Sequence, residues 1–199
     1  KEGNRPNDLF ITGDTHQRIY KYKVVLSQCG INILGRSRTL RINYRTTEET
    51  RRWAVQLLEG LSFDDLEGGE DHLKGYKSLL QGPAPTILRC EDFPQEIEAI
   101  DQHIKTLHDQ GTEHRDICLV SRTNSLSEQY KGALLSKGYK AYQIHRNTPE
   151  NRNEPGIRFA TMHRVKGLEF DHIIIAGTND GVVPLKQALV DDNPFEYAE

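Results

Sequence analysis

The feature that most constrains this chain is the run His-Ile-Ile-Ile-Ala at residues 172–176, which is apolar almost throughout. A strand of this kind is typical of a parallel sheet that is covered on both faces. A second apolar run, Ile-Cys-Leu-Val, lies at residues 117–120. Amphipathic stretches with helical spacing separate these and other short apolar runs. The alternation predicts an α/β doubly wound fold.

Further strands are predicted from short apolar or alternating runs at residues 9–12, 39–43, 86–90, 139–144 and 157–162. Acidic residues, glycines and a proline at residues 62–84 predict a loop. Residues 147–156 are polar and include two prolines, so we predict that they form a connector.

Three helices are predicted between these strands. The first follows Thr46, which we expect to be its N-cap, with Glu49 three residues later completing a capping box. The second covers residues 95–109, where isoleucines and leucines recur at helical spacing. The third covers residues 126–137 and ends at Gly138, a residue suited to a helix C-terminus.

Charge and cysteine content exclude several classes of protein. The net charge of the 199 residues is −3, so contact with nucleic acid has to come from a local basic patch. Residues 15–52 form such a patch, or else a solvated basic face. The three cysteines include no CxxC pair, which argues against a disulfide framework or zinc site and for a reducing compartment. With no membrane-length apolar run and no signal core, we expect a cytoplasmic location and no membrane contact.

Residues 12–20, Thr-Gly-Asp-Thr-His-Gln-Arg-Ile-Tyr, form the first of three polar clusters. They follow a predicted strand, at the carboxyl end where open α/β sheets bind ligands. The amide of Gln17 both donates and accepts hydrogen bonds, which suits a residue that holds a phosphate oxygen and a water molecule. A polar turn with an aspartate cap is the alternative interpretation.

Asn43, Tyr44 and Arg45 form the second cluster, at the end of the second predicted strand. The guanidinium of Arg45 can bind phosphate through two hydrogen bonds. Tyr44 can stack on a base. The alternative is a surface arginine that pairs with Glu48 or Glu49.

Residues 160–170, Ala-Thr-Met-His-Arg-Val-Lys-Gly-Leu-Glu-Phe, form the third cluster, between two predicted strands. Thr161 and His163 are suited to phosphate or sugar contacts, and the carboxylate of Glu169 can accept from ribose hydroxyls. The alternative is that Lys166 and Glu169 form an ion pair on a helix while His163 is a hydrogen-bonded core residue.

In this order, the three clusters resemble motifs III, IV and V of superfamily 1 helicases of the UvrD/Rep type. The first is similar to the family's GDxxQxIY, the second to its NYR and the third to its TxHxxKGLEF. The third is the most specific, because Thr161, His163 and residues 166–170 all match. The resemblance spans about residues 8–178.

The resemblance implies two groups of site residues and no metal ligand. The ATP-binding group is Gln17, Tyr44, Arg45, Gly167 and Glu169, with Gln17 and Arg45 catalytic at the γ-phosphate, Tyr44 on the adenine and Glu169 on the ribose. The DNA-binding group is Tyr20, Tyr22, Thr161 and His163. Aromatic platforms of this kind contribute about 1–3 kcal/mol per base and tolerate any sequence.

The chain also departs from the family pattern. His16 stands where the family commonly has an acid, Lys21 replaces a usual glycine and Tyr22 replaces a usual Phe or Trp. The sequence contains no GxxxxGK[ST] phosphate-binding loop. We therefore expect one RecA-like C-terminal helicase domain over residues 1–199, truncated at both sides. Residues 147–156 take the place of the family's accessory subdomain.

The resemblance implies a RecA-like, P-loop NTPase-type sheet, mostly parallel, with helices on both faces, serving as the second lobe of an ATP-dependent DNA helicase. The full-length protein would use ATP and Mg²⁺ and move 3′ to 5′ on single-stranded DNA. Its partners would be that strand and the N-terminal RecA-like lobe. The chain alone is expected to be inactive and to bind no cofactor. The alternatives are a non-catalytic nucleic-acid or partner-binding module, an RNA-directed motor, or part of a helicase–nuclease.

Overall fold

The computed structural model describes residues 9–14, 25–33, 35–61, 63–64, 70–71, 75–145 and 148–186. The chain divides into two compact units, which we treat separately. The first comprises residues 1–86 and 194–199, and the second comprises residues 87–193. A single domain over the whole chain stays a prediction. No helix among the described residues is both long and apolar enough to cross a membrane.

The first unit is built on two parallel strands and one helix. Its described elements are a 3-10 helix (Leu26–Cys29), β1 (Ile42–Thr47), α1 (Glu48–Gln56), β2 (Phe63–Asp64), β3 (Glu70–Asp71) and β4 (Lys77–Leu80). Strands β1 and β4 pair in parallel, whereas β2 and β3 pair antiparallel. The loop predicted at residues 62–84 is therefore wrong in part, because it contains three short strands.

Two carboxylates at the start of α1 accept hydrogen bonds from the backbone of β4 and of the segment just after it. Oε2 of Glu48 accepts a hydrogen bond from the backbone N–H of Ser78 at 2.7 Å, and Oε2 of Glu49 accepts from that of Gly82 at 2.8 Å. The side-chain hydrogen bond from Arg51, followed by the backbone hydrogen bond from Ser78, lowers the pKa of Glu48 to about 2. An ionised carboxylate is also favoured here by the helix dipole.

Thr47 caps helix α1, so the prediction of Thr46 as the cap is wrong by one residue. Oγ1 of Thr47 accepts from the backbone N–H of Thr50 at 3.3 Å. The hydroxyl of Thr46 instead accepts from Nδ2 of Asn43 at 2.6 Å. Asn43 thus binds Thr46, and Thr47 is the N-cap. The carboxylate of Glu49 accepts from Gly82, just after β4, and does not form a capping box.

The strand predicted at residues 9–12 is not formed; these residues have no regular secondary structure. Phe10 is 89% exposed, so this apolar run has no strand or core to pack against within the described residues. The strand predicted at residues 39–43 is shifted along the chain: β1 begins at Ile42 and ends at Thr47.

The second unit contains a four-stranded parallel sheet in the order β6-β7-β5-β8. Its described elements are α2 (Phe93–Asp109), a 3-10 helix (His114–Asp116), β5 (Ile117–Ser121), α3 (Asn124–Ser136), β6 (Ala141–Gln143), β7 (Ile157–Thr161) and β8 (His172–Ile175). The register pairs Ser121 of β5 with Thr161 of β7, so the carboxyl ends of these neighbouring strands are level. The predicted α/β class with parallel strands is confirmed.

Both described helices of this unit pack on the same face of the sheet. The core that they form with it includes Ile97, Ile100, Ile104, Leu107, Ile117, Leu119, Tyr130, Leu134, Ile157 and Phe159. Side chains alternate along β5, so Cys118 and Val120 lie on the opposite face. There Val165, Leu168 and Phe170 pack against them. Within the described residues, the third polar cluster and not a helix covers this second face.

The helices predicted at residues 95–109 and 126–137 are confirmed as α2 and α3. Oδ1 of Asp92 caps α2, accepting from the backbone N–H of Gln95 at 2.8 Å. Gly138 follows α3 with φ +90°, a conformation that favours glycine. The strands predicted at 117–120 and 157–162 are also confirmed, and that at 139–144 is shorter, as β6.

Two predictions in this unit are wrong. The described residues 86–90 form no strand, and Ile87 is 68% exposed. Strand β8 was expected to be covered on both faces, but Ile173 and Ile175 are half exposed. The physical reason is that β8 lies at one end of the described sheet. Residues 162–170 cover the face that carries Cys118, but they pack over β5, β7 and Ile144.

Candidate functional site

The carboxyl ends of β5 and β7 form a topological switch point. After β5 the chain continues into α3, on one face of the sheet, and after β7 it continues into residues 162–170, on the other. Ligands of open α/β sheets bind in the crevice that such diverging connections leave. The structure therefore places Thr161, the last residue of β7, and His163 at the edge where a ligand is expected.

Arg122, the residue after β5, meets His163 at this edge. Nη1 of Arg122 lies 3.4 Å from Nδ1 of His163. An arginine can only donate, so Nδ1 is the acceptor and the neutral ring carries its proton on Nε2. Burial, followed by the positive charges of Arg122 and Arg164, lowers the pKa of His163. A lowered pKa favours the neutral imidazole, whose N–H can act as a hydrogen-bond donor.

The first turn of α3 adds to the positive character of this edge. Thr123 is the N-cap, and its Oγ1 accepts from the backbone N–H of Leu126 at 3.3 Å. The N-terminus of a helix carries a partial positive charge and backbone N–H groups without helical partners. Together with Arg122 this arrangement suits an anionic ligand such as a phosphate.

Residues 161–170 form a compact turn anchored at its apolar positions. The backbone oxygen of Thr161 accepts from the N–H groups of Arg164 at 2.8 Å and Val165 at 3.0 Å. Gly167 continues the turn with φ +86°, a conformation that glycine adopts readily and that would strain most other residues. Because Val165 and its apolar neighbours face the sheet, Lys166, Gly167 and Glu169 are exposed at the surface.

The Asn-Tyr-Arg cluster of the first unit lies in an irregularity of β1. The register with β4 shifts between Asn43 and Thr47, as in a β-bulge. Oδ1 of Asn43 accepts from the backbone N–H of Arg45 at 2.8 Å and from that of Thr46 at 3.2 Å. This holds the backbone so that Tyr44, 70% exposed, and Arg45 are presented outward. Bulges of this kind re-aim side chains beside functional sites.

The structure distributes the sequence-predicted residues over three places. Thr161, His163, Gly167 and Glu169 lie together at one edge of the second unit, Tyr44 and Arg45 lie in the first unit, and Gln17, Tyr20 and Tyr22 lie outside the described residues. Among the described residues, no group of three or more His, Cys, Asp or Glu side chains is arranged to hold a metal ion.

Arg122 was missed by the sequence interpretation. The signal was present, because Arg122 comes two residues after the strand predicted at 117–120 and precedes a threonine suited to cap a helix. Arg152 and Arg158 were also missed. Arg152 lies in the predicted connector and Arg158 lies within a buried strand, and neither place was predicted to form part of a site.

The parallel sheet of the second unit, with the polar segment leaving its carboxyl edge, defines an α/β domain consistent with a RecA-like C-terminal helicase lobe. Residues 139–196 match the UvrD-like helicase C-terminal domain family. The match supports a UvrD-type helicase C-terminal region in these residues, which contain the third polar cluster, and the resemblance drawn from that cluster is confirmed there. Searches of curated proteins and of solved structures gave no significant match.

The family match covers less than a third of the chain and only part of the candidate site. It includes Thr161, His163, Gly167 and Glu169. It does not extend to Arg45 or Arg122. The match supports a helicase-family domain in these residues, whereas the roles of individual residues are matters for proposal.

Proposed function

We propose that this chain is the second motor lobe of an ATP-dependent DNA helicase that moves 3′ to 5′ along single-stranded DNA. The observation that carries the proposal is the segment 161–170. It leaves the carboxyl edge of a parallel sheet, exposes Gly167 and Glu169, and lies within the helicase family match.

The switch-point edge supports a nucleic-acid contact. Arg122, neutral His163 and the N-terminus of α3 offer hydrogen-bond donors and positive charge within a chain whose net charge is −3. A sequence-independent strand contact relies on donors of this kind to phosphates. Thr161 and His163 are proposed to face the strand, with Tyr20 and Tyr22 as stacking platforms.

The nucleotide side of the proposal rests on Arg45 and Glu169. The irregularity of β1 at Asn43 exposes Arg45, whose guanidinium can bind a terminal phosphate through two hydrogen bonds, and the carboxylate of Glu169 can accept from ribose hydroxyls. Gln17 would act beside Arg45, and Tyr44 would stack on the adenine. The sequence has no phosphate-binding loop of its own. The N-terminal lobe is therefore proposed to hold the β- and γ-phosphates together with Mg²⁺.

In this scheme ATP lies between the two lobes. Binding draws them together because residues of both lobes contact the same nucleotide, and hydrolysis releases them. Each closure shifts the strand-binding surface of this lobe along the DNA. Stacking platforms allow such movement on any sequence.

Replacing Arg45 by Ala in the full-length protein tests the proposal. We expect DNA-stimulated ATP turnover to fall by about 100-fold or more, the usual effect of removing a donor that stabilises transition-state charge. Arg89→Ala removes an exposed arginine with no proposed role and is the matched control. Equal turnover in wild type and Arg45→Ala would overturn the assignment. If salt-sensitive binding to single strands remained without any ATP hydrolysis, the non-catalytic module would be the better account.

A further inference from the structure

The connector between β6 and β7 is fixed to the sheet by a buried arginine. The side chain of Arg158 is fully buried in β7. It donates to Oε1 of Glu150 at 3.1 Å, to the backbone oxygen of Gly156 at 2.7 Å and to that of Asn151 at 3.1 Å. Its guanidinium also lies 5.0 Å from the ring centroid of Tyr142. Residues 150, 151 and 156 of the connector are therefore held beside the sheet.

From this anchored connector, Arg152 reaches the third polar cluster. Its Nη2 donates to the backbone oxygen of Glu169, and its guanidinium lies 5.9 Å from the ring centroid of Phe170. Phe170 in turn packs on the core that contains Cys118. The side chain of Arg152 is thus a direct link between the connector and the segment that carries Glu169.

Glu150 ties the two arginines together. One carboxylate oxygen accepts from Arg158, and the other lies 3.7 Å from Nε of Arg152. The carboxylate side chain is only 8% exposed, whereas that of Arg152 is 60% exposed. The ion pair to Arg152 therefore contributes little by itself. What Arg152 supplies is the hydrogen bond and the ring contact to residues 169–170.

We propose that Arg152 is a positioning residue that holds the backbone at Glu169 in place for nucleotide binding. The inference rests on the proposed function of Glu169. It assigns the short connector a role in the ATP site, through the hydrogen bond from Arg152 to the Glu169 main chain. Loss of Arg152 should then loosen residues 167–170 and weaken nucleotide binding without changing the chemistry of hydrolysis.

Two measurements on Arg152→Ala test this. In the full-length protein, we expect the KM for ATP to rise by about fivefold at an unchanged kcat, the effect of one lost hydrogen bond on binding. In the 199-residue chain, we expect faster amide hydrogen exchange at residues 167–170 and unchanged exchange in β5. Arg152→Lys keeps one donor and the positive charge and should recover part of both effects. Arg115→Ala, which removes an exposed ion pair to Glu113, is the matched control and should change neither.

Glu169→Ala separates the two proposals, because it removes the carboxylate and keeps the backbone oxygen that Arg152 contacts. If Glu169→Ala raises the KM and Arg152→Ala does not, the positioning role is overturned and the proposed function stands. If Glu169→Ala leaves the KM unchanged, the nucleotide role of Glu169 fails. Unchanged exchange at residues 167–170 in Arg152→Ala overturns the positioning role whatever the kinetics.

Discussion

Arg122 and His163 are 41 residues apart in the chain, yet Nη1 of the first lies 3.4 Å from Nδ1 of the second. The contact exists because β5 and β7 are parallel neighbours whose carboxyl ends are level. It brings a residue from outside the family match into contact with one inside it.

The pairing makes the ionisation of His163 depend on Arg122. Burial lowers the pKa of His163, and the charges of Arg122 and Arg164 lower it further. Arg122→Ala removes one of these charges and opens the ring to solvent, so we expect the pKa of His163 to rise. NMR titration of the imidazole measures this directly. His114, whose pKa is lowered by burial and by His108, is the internal control and should not move. An unchanged or lower pKa of His163 would rule out the contact.

A second expectation concerns Asp101, a buried carboxylate of α2. It accepts from the hydroxyl of Tyr139 at 2.6 Å and from the ammonium groups of Lys137 at 2.9 Å and Lys105 at 3.0 Å. Burial opposes its ionisation, but these hydrogen bonds outweigh burial and lower its pKa to about 2. Asp101→Asn should reduce the free energy of unfolding by about 2 kcal/mol, typical of hydrogen bonds to a charged group.

The pH dependence of stability gives a further test of Asp101. Because its pKa is lower in the folded state, its contribution is present above the ordinary value of 3.8 and is lost as the pH falls toward 2. Chemical unfolding at several pH values should therefore show a smaller loss of stability on acidification for Asp101→Asn than for wild type. Glu98→Gln, which alters an exposed partner of Lys137, should change stability by no more than about 0.5 kcal/mol. If the free energy of unfolding fell by the same amount on acidification in wild type and in Asp101→Asn, this account would be contradicted.

How far the sequence predicted the fold depended on the length of each signal. Helix α2 was predicted well because four apolar residues recur at helical spacing over its 17 residues. The short runs at residues 9–12 and 86–90 gave the same kind of local signal as β5, but a strand needs a neighbour, and none pairs with them in the described part of the chain. Nothing in the sequence near Thr46 predicts that the side chain of Asn43 will donate a hydrogen bond to the Thr46 hydroxyl.

The sequence also predicted only part of the candidate site. Residues 161–170 were found because a dense motif lies between two recognisable strands. Arg122, Arg152 and Arg158 were missed because the contacts that they make, with His163, Glu169 and Glu150 respectively, form only in the folded chain. A charged residue within the otherwise apolar run Ile-Arg-Phe-Ala of β7, with Glu150 eight residues earlier, was the one local clue to the buried pair.

Arg158 and Glu150 should behave as a coupled buried pair. Arg158→Met leaves Glu150 without its main partner, and breaking a buried pair in this way lowers the free energy of unfolding by about 3–5 kcal/mol. In the double variant with Glu150→Gln, we expect a smaller loss than the sum of the single changes, with a coupling energy of about 0.5–3 kcal/mol. Full recovery is not expected, because Arg158 also donates to two backbone oxygens. Strictly additive losses in a denaturant double-mutant cycle would show that the pair is not coupled.

Gly156 allows the connector to pass close to Lys140, the residue just before β6. Its φ is +115°, and a Cβ added there would lie 2.6 Å from the backbone carbon and oxygen of Lys140. We expect Gly156→Ala to lower the free energy of unfolding by about 1–3 kcal/mol, the usual range for such strain. Gly132 lies within α3 and has open space around its Cβ position, so Gly132→Ala should be stabilising by up to about 1 kcal/mol. If the unfolding temperatures of both variants shifted in the same direction, the backbone path described for Gly156 would be contradicted.

The central claim is that this chain serves an ATP-driven motor on single-stranded DNA. The most direct measurement is ATP turnover by the purified full-length protein with and without a single-stranded oligonucleotide, beside a blunt duplex of the same sequence. We expect the single strand to raise turnover strongly and the duplex to have little effect. ATP turnover that is absent, or that is the same with and without single-stranded DNA, would contradict the claim.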